Sequence, residues 1–254
     1  MKKTGIFLFS FYFWFILFFV ALCFFPVAVL LWLFTFPFDR RLRILHYFTC
    51  FWSGFTLALN PLWKVRITGR ERFDKERSYV IVSNHQSGTD IMVLFKLWLP
   101  YKWVAKRSLF RVPFIGWNMF LNRYIALDRG KKNSMVSMMD KAAETLRSGT
   151  SVMIFPEGTR SRDGKLQHFK TGAFHLAIKA GVPVLPVAIH GTAQAIDRKG
   201  FLILWNKNIT ATILEPVPFA EIKDKDPKEV AEMVQELINT SLFTAEAPHP
   251  YGGD

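Results

Sequence analysis

His85 and Asp90 are a histidine and a carboxylate five positions apart in the run Asn84-His85-Gln86-Ser87-Gly88-Thr89-Asp90. An unbroken helix would set side chains at that separation about 140° apart around its axis, so the two can meet only across a bend. Ser87, Gly88 and Thr89 favour turns. The run also stands between an apolar, β-rich stretch, Tyr79–Ser83, and a helical pattern opening near Ile91. A strand, a turn and a carboxylate at a helix start would fold the imidazole back onto Asp90. In that geometry the carboxylate fixes the tautomer of His85, and the other ring nitrogen takes a proton from an alcohol. General-base help of this kind contributes roughly 10²–10⁴ in rate. A capped helix beside an ordinary loop histidine would show the same spacing, so the pair needs support from elsewhere in the chain.

Phe155-Pro156-Glu157-Gly158-Thr159-Arg160-Ser161 follows directly on an apolar strand pattern. Gly158 lets a ligand approach the backbone closely, and Arg160 beside it can hold two phosphate oxygens at once. The plainer reading is a β-turn with solvated charges, which Arg162-Asp163-Gly164-Lys165 resembles more closely. Two further stretches put cations after predicted strands, where open α/β sheets bind ligands. One is Lys106-Arg107-Ser108-Leu109, with Pro113 and Gly116 beyond it; the other is Asp128-Arg129. In the apolar run Val182–Val187, Pro186 predicts a bulge or a sheet edge and a position lining an apolar channel.

The elements that would carry these residues alternate. Strands are predicted at Val65–Gly69, Tyr79–Ser83, Lys102–Ala105, Tyr124–Leu127, Ser151–Phe155 and Val182–Ile189, and helices at Ile91–Trp98, Ser134–Ser148, Thr171–Ala180 and Pro227–Leu242. That order predicts an α/β fold with a mixed, largely parallel sheet flanked by helices. Phe201–Trp205 and Thr210–Leu214, around Asn206-Lys207-Asn208, read as a hairpin at the sheet edge. The predicted division is an N-terminal membrane-embedded segment over 1–63, a catalytic α/β domain over 64–242 and a mobile tail over 243–254.

The formal charge of +13 over 254 residues fits nucleic acid, anionic lipid or a phosphorylated substrate. Composition narrows the choice, because more than half of the 26 Phe fall before residue 56. Thr4–Phe38 carries no charge and is too apolar for a water-exposed surface. It is also longer than the ~20 residues that cross a bilayer, and Pro26 near its middle predicts a kink or break. Ile44–Trp63 spaces Ile44, Phe48, Phe51, Phe55 and Leu59 at helical intervals, as an interfacial helix would. Basic residues flank the first run on both sides, which fits a hairpin dipping in from the cytoplasmic side of the inner or plasma membrane. Cys23 and Cys50 lie in apolar stretches without a CxxC or a clustered His, so neither a disulfide framework nor a zinc site is expected.

Taken in order, these stretches resemble the glycerolipid acyltransferase family, in particular its 1-acyl-sn-glycerol-3-phosphate acyltransferases. Asn84, His85, Ser87 and Asp90 match its NHxSxxD signature, and residues 155–161 match its FPEGTRS hallmark. Lys106 to Gly116, the run ending at Arg129, and the stretch around Pro186 match the remaining blocks. The resemblance covers about Val80 to Thr192; Tyr124 and Ala126 depart from the commoner residues before Asp128-Arg129, which bears on acceptor preference. It implies that His85 and Asp90 catalyse acyl transfer from coenzyme A or acyl carrier protein to lysophosphatidic acid. Lys106, Arg129, Glu157, Gly158, Thr159 and Arg160 would hold the acceptor's phosphate, with Asn84, Ser87 and Pro186 in support. No metal, redox cofactor or nucleic-acid partner is implied; membrane lipids are. Transfer would be direct, since no GxSxG elbow or Cys–His pairing occurs. A larger lysophospholipid or a lyso-aminolipid is the alternative acceptor. A hydrolase using Ser87 with His85 is disfavoured by their two-residue spacing, and a non-catalytic basic protein would not require four ordered motifs.

Overall fold

Short aliphatic runs pair into one seven-stranded sheet: β1 (Trp63–Thr68), β2 (Val80–Ser83), β3 (Tyr101–Lys106), β4 (Ile125–Leu127), β5 (Ser151–Ile154), β6 (Val184–His190) and β7 (Asn206–Ile213). The computed structural model describes residues 3–161, 164–197, 200–204 and 206–246. Strand order is β1-β7-β6-β2-β5-β3-β4, and among the described residues every pairing is parallel except β6 with β7. The helices are α1 (Lys3–Thr35), α2 (Arg43–Ala58), α3 (Thr89–Phe95), α4 (Ile115–Leu121), α5 (Lys132–Arg147), α6 (Gly172–Ala180), α7 (Phe219–Ile222) and α8 (Pro227–Glu246). The fold is therefore the mixed, largely parallel α/β arrangement expected from the alternation of patterns.

Strand side chains alternate between faces, and both faces of the central strands are covered. Ile81, Tyr101, Trp103, Met153 and Leu185 share one core with α1, α2 and α3. Val80, Val82, Val152 and Val184 share the other with α5, α6 and α8. Parallel strands buried on both faces read as continuous apolar runs, which is why β2, buried throughout, shows no alternation in sequence.

α1 continues through Pro26 without the expected break. Pro26 is exposed, so the carbonyl that loses its helical partner is on the outer side. Ser10, Phe13, Val20, Ala21, Ala28 and Thr35 form a buried stripe on α1, and its opposite side exposes Phe7, Phe11, Phe15, Phe18, Leu22 and Leu30, among others. The body touches the helix along its length. Near the start, Trp14 Nε1 donates to the Phe201 carbonyl at 2.7 Å and Ser10 Oγ accepts from Ile203 N at 2.8 Å. Near the end, Trp32 and Phe36 pack beside Leu42 and Leu45.

α2 buries Leu45, Cys50, Trp52 and Leu57 together with its polar residues. Thr49, Ser53 and Thr56 are buried, while Ile44, Phe51 and Phe55 are exposed. Phe51 and Phe55 lie against Phe24 of α1, with ring centroids 5.9 and 5.3 Å away. The buried polar groups have partners: Ser53 Oγ donates to the Met92 carbonyl, and Asn118 Nδ2 and Asn122 Nδ2 donate to Thr49 Oγ1. His46 is also enclosed, with Nε2 at 2.9 Å from the Leu99 carbonyl and Nδ1 at 3.2 Å from Tyr124 Oη. Burial, with Lys102 nearby, lowers its pKa to about 3 and keeps it neutral.

Three expectations are corrected. Asn206 and Asn208 do not turn a hairpin; they belong to β7, which pairs with β1 on one side and β6 on the other. Pairing with β1, which sets Asn206 opposite Trp63, outweighs the local turn preference of asparagine. Ile203 bridges to Ile196 instead, and Trp205 lies outside the described residues. Pro186 sits in an interior strand without a bulge, in register with Val82. Its missing N–H would face the end of β7, where the ladder closes at Val187↔Ile213 and Leu214 N donates to the Pro186 carbonyl at 3.0 Å. α8 runs past Leu242 to Glu246; residues 247–254, with Arg162 and Asp163 of the expected turn, lie outside the described residues.

β1 reaches the end of β7 through Gly69, whose φ is +79° and whose absent Cβ would strike the Ile213 carbonyl oxygen. Gly69→Ala combines backbone strain with overpacking and is expected to destabilise by roughly 1–3 kcal/mol. Thermal unfolding in detergent measures this.

Candidate active site

β2 delivers Asn84 and His85 at its C-terminal end, beside the end of β5, where sites gather in open α/β sheets. Asn84 fastens that end to β6: its Nδ2 donates to the Ile189 carbonyl and its Oδ1 accepts from Ile189 N, both at 2.8 Å. The chain then bends as its turn residues require. Asp90, in the first turn of α3 and fully buried, receives His85 Nδ1 at 2.8 Å on Oδ2. The same oxygen accepts Gln86 N at 2.7 Å and Ser87 N at 2.9 Å. An ionised carboxylate only accepts, so the contact places the His85 proton on Nδ1 and leaves Nε2 as the basic nitrogen.

The imidazole is also held from the side. Phe155 stacks on it with centroids 3.9 Å apart and planes within 8°, and Trp103 packs against Phe155 at 5.3 Å. The sequence offered a signal for Phe155, an apolar residue directly before Pro156-Glu157-Gly158, but gave no role to it. Gln86 is fixed as well, through Nε2 to the Gly164 carbonyl at 2.8 Å. Ser87 Oγ lies 3.3 Å from both Thr89 Oγ1 and Thr89 N, so its hydroxyl is directed into the turn.

Glu157, expected among the phosphate-binding groups, is engaged by the main chain. It is buried, with Oε1 accepting His85 N at 2.7 Å and Oε2 accepting Gln167 N at 3.2 Å. Engaged in this way, the side chain holds the backbone of His85 in place. Ser161 N donates to the His85 carbonyl at 2.8 Å, so the loop carrying Thr159 and Arg160 is tied to the same residue. Thr159 and Arg160 themselves are exposed. Gly158 has φ +73°, and a Cβ there would meet Lys170 Nζ at 2.9 Å. Lys170, which the sequence did not single out, thus lies over this loop.

An apolar cavity of about 360 Å³ opens beside His85, within the roughly 300–1,000 Å³ of small-molecule pockets. Phe13, Leu17, Trp52, Met92 and Met119 are among its walls, and Lys106 and Arg129 line it while remaining exposed, which places them where it meets the surface. Arg107 Nε and Asp128 Oδ2, 2.6 Å apart, join the two segments that carry those cations. Pro186 is not among the cavity walls. The structure thus gathers His85, Lys106 and Arg129 around one opening, with Asp90 buried behind His85.

Burial pushes the Glu157 carboxyl from the ordinary 4.5 up to about 7, against the lowering effect of its two backbone N–H partners. Between those values the folded chain keeps a proton that the unfolded chain has released. The associated stabilisation is complete at low pH and is lost as pH rises through about 7. The melting temperature of wild type, measured relative to Glu157→Gln, is expected to fall between about pH 5 and about pH 8. A difference that stays constant over that window would contradict this assignment.

The comparisons agree with this geometry. The profile of the family described as Acyltransferase matches residues 64–190. The chloroplastic 1-acyl-sn-glycerol-3-phosphate acyltransferase of Brassica napus is 37% identical over 182 residues, covering 71% of this chain and 52% of its own. The alpha form of that enzyme from Bos taurus is 32% identical over 194 residues, covering 75% and 67%. The crystal structure of the 1-acyl-sn-glycerophosphate acyltransferase PlsC from Thermotoga maritima matches with a TM-score of 0.80 and 26% identity, over 98% of this chain and 99% of that one. The chain spans 50–60% of the length of the plant and algal relatives it matches. With that profile match, and with its cover of the bovine enzyme, the chain belongs to the acyltransferase family.

Proposed function

We propose that this protein transfers an acyl chain from a thioester, acyl-coenzyme A or acyl carrier protein, to the free hydroxyl of 1-acyl-sn-glycerol-3-phosphate, giving phosphatidic acid. The observation that carries this reading is the His85–Asp90 contact at 2.8 Å beside an apolar cavity with Lys106 and Arg129 at its opening. The names of the relatives support it. Nε2 of His85 takes the hydroxyl proton as the oxygen bonds to the thioester carbonyl carbon. The tetrahedral intermediate collapses, the carbon–sulfur bond breaks, and the departing thiolate takes the proton back from the imidazolium. Asp90 stabilises that imidazolium, and Phe155 and Glu157 keep the ring from turning away. The balance closes without a metal or redox cofactor.

In this reading the cavity receives an acyl chain, and Lys106, Arg129 and Arg160 attract the phosphate monoester, which carries nearly two negative charges near neutral pH. α1 supplies membrane association. At 1.5 Å per residue its 33 residues extend about 50 Å, against a hydrocarbon core of ~30 Å. A steep crossing would carry the charged sheet domain packed along it into hydrocarbon. α1 and α2 therefore lie in one leaflet with their exposed Phe and Leu side chains in lipid, so the long chains of acceptor and product never cross water.

His85→Ala, purified and folded, is expected to lose roughly 10²–10⁴ of kcat for acyl transfer to lysophosphatidic acid; turnover near wild type would refute the base assignment. Arg160→Ala is expected to raise KM for the phosphate-bearing acceptor by about tenfold, the lower end of a charge-assisted hydrogen bond, with little change for the thioester. Steady-state kinetics with each substrate varied in turn separates the two.

A further inference from the structure

Between β3 and β4 the chain makes a tight turn of helix over Arg107–Arg111 and then enters α4. This stretch is bounded by charge, with Lys106, Arg107 and Arg111 at its start and Arg123 just past its end, yet its outer face is apolar. Leu109, Val112, Ile115 and Trp117 are 40–45% exposed, and Phe120 is 74% exposed. In water such a concentration of exposed apolar side chains is unfavourable. Its inner face is well packed: Gly116 sits so close to the preceding turn that a Cβ would come within 2.5 Å of the Leu109 carbonyl oxygen. The outward side chains are thus presented by a built element.

Its position indicates what covers that face. Phe114 lies 5.8 Å from Phe18 and 6.0 Å from Phe25, and Trp117 lies 5.5 Å from Phe25. These contacts join α4 to α1 and make the exposed apolar surface of the two continuous. The cations at both ends match the anionic headgroups that would flank a shallowly inserted segment. Leu109, Val112 and Ile115 also line the cavity beside His85.

We propose that residues 107–121 are a third lipid-inserting element beside α1 and α2, which seats the mouth of the cavity in the acyl region of the leaflet. A long-chain substrate would then enter from lipid, past side chains already immersed in it. This rests on the reading that α1 lies in a bilayer, and the test keeps the two apart. Full-length protein in a Cys23→Ala background, where Cys50 is buried, would carry one environment-sensitive fluorophore at Phe120→Cys, Val112→Cys, Phe15→Cys on α1 or Glu144→Cys on α5. Each would be reconstituted into phosphatidylcholine–phosphatidylglycerol vesicles containing acyl-brominated lipid. Labels at 120 and 112 are expected to lose most of their emission to bromine, as at 15, while the label at 144 emits as in buffer. Quenching at 15 with water-like emission at both 112 and 120 would overturn this proposal alone. Water-like emission at all four positions would overturn the placement of α1 as well. Two labelled sites on the segment keep the test decisive if one substitution impairs folding.

Discussion

A single carboxylate oxygen organises the site. Asp90 Oδ2 accepts from the His85 ring and from the backbone N–H groups of Gln86 and Ser87, so one buried charge closes the turn and orients the base together. Charge-assisted hydrogen bonds are about twice as strong as neutral ones, and stripping water from a carboxylate demands such partners. The second Asp90 oxygen is buried without a partner among the described residues, so stability at this position depends on the first. Glu157 does for the other flank of His85 what Asp90 does for the ring, anchoring the backbone N–H from the neighbouring strand end. The imidazole is thereby constrained through its ring nitrogen, its plane and its main chain.

The N-terminal helices follow a different constraint. A helix in a water-soluble domain turns its apolar side inward; α2 buries Thr49, Ser53 and Thr56 beside Leu45, Trp52 and Leu57 and still exposes Ile44, Phe51 and Phe55. Such an orientation is stable only if the inner hydroxyls find partners and the outer rings avoid water. The contacts with Met92, Asn118 and Asn122 meet the first condition, and the proposed lipid contact meets the second. The cavity lies where these two regimes meet, with α1, α2 and α4 on one side and the C-terminal end of the central strand β2, which carries His85, on the other.

The contact between His85 and Asp90 was legible because its residues are local. His85, Asp90 and the turn between them lie within one short segment, and turn preference with helix-start chemistry predicts their approach. The layered sheet was legible from alternating patterns for a similar reason. The hairpin at Asn206–Asn208 and the edge position of Pro186 were misread because local turn and strand preferences do not report which strands lie on either side. The backbone contacts of Glu157 were not legible because charge type alone does not disclose that the N–H groups of His85 and Gln167 converge on it.

By itself the sequence determined the approach of His85 to Asp90, the α/β order and the uncharged, apolar run Thr4–Phe38, all of which depend on neighbours in the chain and on hydrophobic patterning. Tertiary structure alone decided that Phe155 stacks on the base, that Lys170 overlies Gly158, that Arg107 and Asp128 join the cationic segments, and that α4 extends the exposed face of α1. The contacts of Phe155 with His85 and of Arg107 with Asp128 are made by the parallel pairing of β2 with β5 and of β3 with β4, and the other two by the path of a loop and the packing of one helix on another. No spacing rule along the chain reports such proximity, because it is set by which strands and helices pack side by side.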